Sequence, residues 1–469
     1  MYIPEALINC IARIIQVCVL YNIKIYDIIN RFNASTMRVN IVRQNLLRAD
    51  SALLSYPIRE VVLIGKQLEQ LGHYSMIWEN IGDPIAAGEK VPEWMKEITQ
   101  EKITHDDSFA YTDSRGYIKA REYVLKNFSN EKVCTIDDIL FFNGLGEAIN
   151  KILNNLPREV RVLVPSPTYP SHATAEAMHA GCDFISYALD PENNWEPDLE
   201  EIENKVKYND HVVAILVINP NNPTGSVYQR ETLEKIVAIA KKYDCFLIFD
   251  EIYHHMTFNN VKMTRLHEII GDVPGLSLKG ISKDIPWPGS RCGWVEVYNA
   301  EKDDSFREYI EMILLAKMLE VCSTTLPQVI LPHLYSHPNY KGYLAQRIAK
   351  YERRAMEATE FFLKIPQVRV SKPKGVFYYV VELLDLPRSQ LEAKNKAVRL
   401  YLNDLLKESV TGDFQFSYEL MASKGVCVVP LTGFGSTING FRMTLLQQDD
   451  ALFTQTLELI GEAIAEYYP

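Results

Sequence analysis

Paired cysteines are missing from this sequence. Its eight cysteines are scattered along 469 residues, and no two of them form a C-x-x-C pair. That spacing argues against a disulfide framework and against a zinc site, and it favours a reducing compartment. We therefore expect a cytoplasmic protein whose cysteines are mostly small buried side chains. The adjacent His254 and His255 have no metal-ligand spacing in the sequence, and no bound metal is expected.

A surplus of positive charge is also missing. Acidic residues number 60 against 49 basic ones, which gives a net charge of -11. Proteins that bind nucleic acid or anionic membranes in general carry a basic surplus, so neither partner is expected. The acidic total does not exclude a small anionic substrate, because one local arginine is enough to bind it.

No run of 18 apolar residues occurs, even in the apolar N-terminal part. The segment from Ile8 to Ile28 is interrupted by Arg13, Gln16, Asn22 and Lys24. No basic stretch precedes this segment and no small-residue cleavage site follows it, so a signal peptide is not expected. We expect residues 1–36 to be an N-terminal extension that forms an appended helix. The alternatives are that translation starts at Met37 or, less favoured, that the segment anchors the protein to a membrane.

Short apolar runs rich in β-branched residues dominate the chain from about residue 160. They are almost free of charge and recur at helix-plus-strand distances, which is typical of parallel strands buried on both faces. An amphipathic helical pattern from Glu231 to Tyr243 lies between two of them. The predicted strands are Val160–Val164, Phe184–Ala188, Val212–Ile218, Cys245–Phe249, Leu276–Leu278 and Gly293–Val297. The chain is therefore predicted to be α/β with a largely parallel sheet.

The C-terminal third has a different pattern. A long charged helical pattern covers Lys341 to Leu363 and is followed by alternating strand-like pieces. These pieces are Val368–Val370, Val376–Val381, Val426–Val429 and Phe441–Leu445. They predict a second, α+β domain that a long helix joins to the first.

The stretch from Gly280 to Trp294 carries the strongest chemical signal. Lys283 stands just after a buried apolar run, and Arg291 follows eight residues later, after Pro-Gly. A lysine at that place loses part of its hydration and becomes a usable amine for a Schiff base, and the arginine could clamp a phosphate. A surface lysine and arginine around a turn would explain either residue alone. They do not explain the order S-K, P-G, R, G-W.

This order resembles the fold-type I pyridoxal-phosphate enzymes, in particular the class I/II aminotransferases, nearest to the alanine aminotransferase-like members. The resemblance covers Tyr56 to the C-terminus. It implies a three-layer large domain with a mostly parallel seven-stranded sheet over residues 91–340. A smaller α+β domain would comprise residues 37–90 and 341–469. It also implies pyridoxal 5'-phosphate as cofactor and a homodimer with shared active sites.

By this resemblance Lys283 bonds covalently to the cofactor and Arg291 binds its phosphate. The family often has a hydroxyl residue at the position of Gly280, so one phosphate hydrogen bond is lost here or replaced by water. Leu145 and Gly146, in a glycine-containing helix start, correspond to residues whose amides cradle the phosphate. The usual hydroxyl residue at the second of these positions is also absent. Lys279 is a rival amine, but no arginine stands at the right spacing from it.

The cofactor ring is assigned further residues by the same resemblance. Asp250 at a strand end holds the ring nitrogen protonated, while Tyr253 and Asn222 bind the phenolic oxygen. A cis bond is expected between Asn222 and the proline after it. Tyr169 stacks on the ring. His172 corresponds to a histidine that lies against the aspartate in some members, and a plain surface histidine is the alternative.

The remaining assignments concern the substrate and the partner subunit. In relatives the arginine at Arg442 grips the substrate carboxylate, and the glycine at Gly82 lies beside it, together with Asn222. Tyr111 corresponds to a tyrosine that reaches the phosphate of the neighbouring subunit. Lys283, with Asp250 and Tyr253, would carry the catalysis of amino transfer by a ping-pong mechanism.

The substrate is less closely defined than the chemistry. Ser55–Arg59 and Phe441–Leu445 look like segments of alanine aminotransferases, so alanine with 2-oxoglutarate is favoured. Aspartate, aromatic and branched amino acids remain open. A lyase on the same scaffold, either a C–S β-lyase or an aminocyclopropane-carboxylate-synthase-like enzyme, is the alternative. A non-catalytic regulator that binds nucleic acid is disfavoured, because residues 1–36 are too short for a winged helix and no basic arm exists.

Overall fold

The computed structural model describes residues 50–54, 56–387, 389–407 and 412–468. The chain divides into two units, Met1–Ser51 and Ala52–Pro469. The α-helices and β-strands of the described part of the chain lie in the second unit. The expectations for residues 1–36 and for Met37 lie outside the described residues.

The apolar runs form one large sheet of eight strands. Their order is β2-β9-β8-β7-β6-β3-β4-β5. The inner pairs β8-β7, β7-β6, β6-β3 and β3-β4 are parallel, whereas β9 runs antiparallel to both of its neighbours and β5 runs antiparallel to β4. The strands are β2 (Ile139–Asn143), β3 (Arg161–Ser166), β4 (Ser186–Asp190), β5 (Glu196–Pro197), β6 (Val212–Ile218), β7 (Phe246–Asp250), β8 (Gly275–Gly280) and β9 (Cys292–Tyr298).

Helices cover both faces of this sheet, which explains why its strands are apolar on both sides. The first ten helices of the described part of the chain are α1 (Pro57–Gly72), α2 (Glu93–Lys102), α3 (Ile118–Phe128), α4 (Leu145–Asn154), α5 (Pro170–Ala180), α6 (Leu199–Lys207), α7 (Arg230–Lys242), α8 (Leu266–Ile269), α9 (Asp304–Met318) and α10 (Thr325–Ser336). One face of the sheet buries a core with α4, α5 and α9, and the other face buries a core with α2, α3, α6, α7 and α10. The predicted three-layer α/β class is confirmed.

A second, antiparallel sheet has its own core. Its order is β10-β11-β14-β13, and a separate parallel pair joins β1 to β12. The strands are β1 (Ile77–Trp78), β10 (Val368–Val370), β11 (Tyr378–Leu383), β12 (Val426–Cys427), β13 (Val429–Pro430) and β14 (Gly440–Thr444), and the helices are α11 (Tyr340–Phe362), α12 (Lys396–Leu405), α13 (Gly412–Lys424) and α14 (Asp450–Tyr467). The pairing of β1 with β12 supports a small domain built from both ends of the chain, but its boundaries stay a prediction.

Two details differ from the sequence-based expectation. The eighth strand of the large sheet is the two-residue β5, which is too short to show periodicity. The strand Ile139–Asn143 was not predicted, although its first four residues form an apolar run. None of the helices in the described part of the chain is long and apolar enough to cross a membrane.

A fully buried charge cluster joins β8 and β9 to Glu251, the residue directly after β7. The Lys279 ammonium lies 2.9 Å from Glu296 Oε2 and 3.2 Å from Glu251 Oε2. Ser277 donates a hydrogen bond to Glu251, and the Trp294 indole donates one to Glu296. Lys279, which the sequence left as a rival amine, is therefore held in the interior as the counter-ion of two carboxylates.

Lys279→Met should destabilise the fold strongly, because it leaves two carboxylates buried without a cation. Breaking a buried ion pair from one side costs about 3–5 kcal/mol. Lys241→Met is the matched control, since the Lys241–Asp272 pair is exposed and its loss should leave stability nearly unchanged. Urea unfolding of both variants measures the difference. Equal unfolding midpoints would contradict the counter-ion role.

Candidate active site

A cavity of about 150 Å³ lies at the carboxyl ends of the parallel strands. Ligands of open α/β sheets bind at this edge. Part of the cavity wall comes from Tyr378 at the start of β11, so both sheets contribute to the site. Eight of the predicted site residues line it: Leu145, Gly146, Tyr169, Asn222, Asp250, Tyr253, Lys283 and Arg291.

Lys283 lies in the irregular segment between β8 and β9 and is half-buried. Its ammonium donates a hydrogen bond of 2.8 Å to the carbonyl oxygen of Gly82. It also lies 5.8 Å from the centre of the Phe377 ring. The amine is thus held at the cavity by a neutral acceptor and an aromatic face.

Asp250 is the last residue of β7, and only 3% of it is exposed. A buried carboxylate needs hydrogen bonds to offset its lost hydration. Here the backbone amide of Ile252 donates to one oxygen at 3.1 Å, and the other lies 2.8 Å from His172 Nε2. His172 therefore belongs to the carboxylate's surroundings and is not a surface residue.

Tyrosines line the remaining wall of the cavity. The Tyr253 hydroxyl donates to that of Tyr378 at 3.1 Å, and the hydroxyls of Tyr169 and Tyr56 lie 3.1 Å apart. Burial raises the pKa of Tyr253 and of Tyr169 well above the ordinary value, so both keep their protons at neutral pH. Sequence reasoning missed Tyr378, whose only signal was its place in an apolar strand.

Arg291 and the start of α4 form part of the cavity wall. Gly144 precedes the helix with a φ of 81°, and a Cβ there would lie 2.3 Å from Arg291 Nη2. The guanidinium is exposed and donates to the carbonyl oxygens of Pro288 and Asn143. The first amides of a helix have no partner within the helix. The glycine thus admits an arginine beside free amides, which suits a phosphate-sized anion.

Arg442 lies in the middle of β14 and is 1% exposed. It donates to Asn222 Oδ1 at 3.0 Å and to the carbonyl oxygen of Asn80. Its guanidinium stacks over the Tyr378 ring at 4.1 Å and the Phe434 ring at 4.7 Å. Burial lowers its pKa, and its Nε has no hydrogen-bond partner in the described part of the chain. A buried cation with a spare donor suits a carboxylate ligand.

Gly82 and Tyr111 occupy very different surroundings. A Cβ on Gly82 would lie 1.9 Å from the Tyr378 hydroxyl oxygen, so the backbone approaches the cavity wall as closely as glycine allows. Tyr111 is 83% exposed and does not line the cavity. The structure therefore brings Gly82 to the site and leaves Tyr111 on the surface of its own chain.

A grouping that the sequence spacing did not predict lies next to Lys283. One ligand atom each from His254, His255 and Asp284 lies within 4.8 Å of the others. Asp284 Oδ2 is already within 3.1 Å of His255 Nδ1 and of the hydroxyls of Tyr335 and Tyr340. We read the group as a hydrogen-bonded cluster around the carboxylate.

Comparison with known families agrees with this arrangement. The model of the family "Aminotransferase class I and II" matches residues 76–457. The chain belongs to this family. It is therefore a pyridoxal-phosphate-dependent aminotransferase, whose substrates are an amino acid and a 2-oxo acid.

Individual relatives give the same result. The chain is 45% identical over 431 residues to an uncharacterized aminotransferase of Methanocaldococcus jannaschii, covering 91% of this chain and 99% of the relative. It is 30% identical over 361 residues to the glutamate-pyruvate aminotransferase AlaA of Escherichia coli, covering 76% and 86%. The solved alanine aminotransferase from Pyrococcus furiosus superposes with a TM-score of 0.78 at 27% identity, over 90% of this chain and all of that one.

The two glycines at which the family's hydroxyls are missing differ in their surroundings. A Cβ on Gly146 would meet no atom within 4 Å. A Cβ on Gly280 would lie 2.9 Å from the carbonyl oxygen of Cys292 and 3.1 Å from the Cα of Gly293, because β8 and β9 pair there. A hydroxyl is thus sterically admissible at residue 146, whereas at residue 280 the neighbouring backbone leaves no room.

Gly146→Ser and Gly280→Ser form a matched pair that tests this difference. The first should leave the free energy of unfolding nearly unchanged. The second should destabilise by about 1–3 kcal/mol, which is usual for overpacking in a rigid interior. Urea unfolding of both variants measures the effect, and similar values for the two would contradict it.

Proposed function

We propose that this aminotransferase moves the amino group of an L-amino acid, with alanine favoured, to a 2-oxo acid such as 2-oxoglutarate. The observation that carries the proposal is that an amine and a carboxylate line one cavity, while a buried guanidinium contacts two of its lining residues, Asn222 and Tyr378. The three groups are the Lys283 amine, the Asp250 carboxylate with His172, and the buried Arg442 guanidinium. They provide an amine, a fixed negative charge and a carboxylate receptor.

The residues of the cavity fit pyridoxal 5'-phosphate. Arg291 and the amides of Leu145 and Gly146 would hold its phosphate, without side-chain hydroxyls from residues 146 and 280. When bound, the cofactor supplies an electron sink for the carbanion formed at the substrate Cα. Asp250 would face the ring nitrogen and keep it protonated.

Three further residues would hold the ring. Tyr169 would stack against it, and Tyr253 and Asn222 would bind its phenolic oxygen. Burial raises the pKa of Tyr253, so its hydroxyl keeps the hydrogen that it now donates to Tyr378 and could donate to that oxygen instead.

Two residues would act directly on the substrate. Arg442, with its spare Nε, would bind the substrate carboxylate beside Gly82 and Asn222. That fixes the Cα–H bond relative to Lys283. Once the substrate amine has displaced it from the cofactor, the free Lys283 amine would take the proton from Cα as general base and later deliver it as general acid. Because the 2-oxo product leaves before the second 2-oxo acid enters, ping-pong kinetics are expected.

The choice of alanine rests on relatives and on the N-terminal part of the site. The Escherichia coli relative is named a glutamate-pyruvate aminotransferase, and one of Mycobacterium tuberculosis, 29% identical, is named alanine aminotransferase. Tyr56 belongs to the segment Ser55–Arg59, which looks like part of the alanine aminotransferases. Its hydroxyl oxygen lies 3.1 Å from the hydroxyl oxygen of Tyr169. That segment therefore reaches the site, where it can influence the substrate side chain.

A homodimer with shared sites is part of the proposal. Phe109, Tyr111, Leu319 and Val321 are large apolar residues that are 50% exposed or more. The segments that carry them are joined, since Ser114 donates to the carbonyl oxygen of Val321. Such a cluster suits a second copy of the chain, in whose site Tyr111 would approach the phosphate. A cytoplasmic location remains the expectation from cysteine usage.

A panel of amino donors tests the proposed reaction. Purified protein with pyridoxal 5'-phosphate is given alanine, aspartate, tyrosine or leucine, each with and without 2-oxoglutarate. We expect pyruvate from alanine in step with glutamate, and almost none without 2-oxoglutarate. A keto acid released continuously without 2-oxoglutarate would indicate the lyase alternative. A different favoured donor would refute alanine but not amino transfer.

Asp250→Asn should keep the fold and lose most of the activity. An amide cannot hold the ring nitrogen protonated, and the developing carbanion loses its stabilisation. We expect a fall in kcat of roughly 10³-fold or more. Asp272→Asn, which alters an exposed aspartate paired with Lys241, is the control and should stay active. Near-normal single-turnover transfer by Asp250→Asn would show that another group contacts the nitrogen.

Arg442→Lys should weaken the binding of every amino acid and every 2-oxo acid alike, because all of them carry the α-carboxylate. Lysine keeps the charge but not the planar fork that spans two oxygens. Losing one charged hydrogen bond costs about 1.5–3 kcal/mol, so kcat/KM should fall roughly 10- to 150-fold. A cofactor titration should change little. Loss of cofactor with normal substrate kinetics would show that Arg442 is a phosphate ligand.

A further inference from the structure

The backbone at Lys283 has no regular secondary structure to hold it. Residues 281–286 lie between β8 and β9 as a series of bends. One side chain from α11 supplies the missing hydrogen bonds. Arg347 Nη1 donates to the carbonyl oxygen of Lys283 at 2.9 Å and to that of Asp284 at 2.7 Å. Arg347 itself is 5% exposed, so its guanidinium is shielded from solvent.

The other side of the same guanidinium grips Glu89. Arg347 Nε lies 2.6 Å from Glu89 Oε1, and Nη2 donates to Oε2 at 3.2 Å. The hydroxyls of Tyr343 and Tyr351 each donate to the same carboxylate at 2.7 Å. Glu89 stands seven residues after Gly82, whose carbonyl oxygen receives the Lys283 ammonium. Lys283 is therefore held to the segment from Gly82 to Glu89 in two ways. Its amine bonds to Gly82 directly, and its backbone carbonyl is linked to Glu89 through Arg347.

We propose that Arg347 is a positioning residue for the reaction, acting with Glu89 as its anchor. It fixes the lysine peptide relative to the segment that carries Gly82, and so sets where the Lys283 amine lies in the cavity. This inference rests on the proposed role of Lys283. A guanidinium suits the task because its planar fork meets two carbonyls and a carboxylate at once, which a single ammonium cannot do.

Arg347 is not the only residue that holds the segment around Lys283 in place. The Asp284 side chain is anchored separately, since Tyr335 and Tyr340 donate to its Oδ2 at 2.9 and 3.1 Å and His255 Nδ1 lies 2.9 Å away. The segment thus keeps one anchor when the other is removed. Removal of Arg347 should misplace the amine without unfolding the chain.

Two variants separate positioning from stability. Arg347→Lys keeps the charge opposite Glu89, and the double variant Arg347→Met/Glu89→Gln leaves no unpaired buried charge. Arg353→Met on the same helix is the control, because Arg353 pairs with exposed Asp450 and contacts no part of the lysine segment. Thermal unfolding reports the fold. The position of the amine is tested by the rate of adduct formation. Apoprotein is mixed with pyridoxal 5'-phosphate, samples are reduced with borohydride at intervals, and the adduct on the Lys283 peptide is measured by mass.

We expect adduct formation and kcat to fall at least about tenfold in both variants, with KM and the melting temperature nearly unchanged. The Arg353→Met control should match the unaltered protein. Adduct rates equal to the control in either variant would overturn the inference, as would loss of the fold in both, because Arg347 would then be structural. If the unaltered protein forms no adduct on Lys283, it is the proposed function that fails.

Discussion

The burial of one carboxylate at the end of β7 is the constraint on which the site depends. A buried carboxylate such as that of Asp250 needs hydrogen bonds in place of its lost hydration. The backbone amide of Ile252 and the His172 ring supply them, and they hold the carboxylate in one orientation. His172 in turn needs α5 at its observed place against the sheet. The packing of α5 against the large sheet thus fixes the position of this carboxylate in the cavity.

The second requirement is that both sheets meet around that carboxylate. The segments that follow strands of the large sheet contribute Lys283, Leu145 and Gly146, whereas β11 and β14 contribute Tyr378 and Arg442. Three contacts join the two sets: Lys283 to the carbonyl oxygen of Gly82, Arg442 to Asn222, and Arg347 to both the lysine segment and Glu89. Lys283 and Arg442 are therefore both held by hydrogen bonds to groups outside their own sheets.

Much of the fold and site was predictable because the signals are local. Strand-end motifs place Asp250, Asn222 and Lys283 after apolar runs, and parallel strands bring those ends to one edge. The cis bond expected between Asn222 and Pro223 is present. The strand at Ile139–Asn143 was not predicted, because the glycine motif directly after it is the stronger signal and indicates only the start of a helix. The grouping of His254 and His255 with Asp284 and the pairing of Arg347 with Glu89 join residues far apart in the chain, which no short motif encodes. The difference between Gly146 and Gly280 was equally hidden, because it depends on how closely β9 approaches β8.

The central claim is that Lys283 is the amine that bonds to the cofactor. The most direct test is to incubate the purified chain with pyridoxal 5'-phosphate, reduce it with borohydride and map the modified peptide by mass. The account predicts one reduced adduct per chain on Lys283, and none after Lys283→Ala. An adduct on Lys279 or another lysine, with Lys283 unmodified, would contradict it.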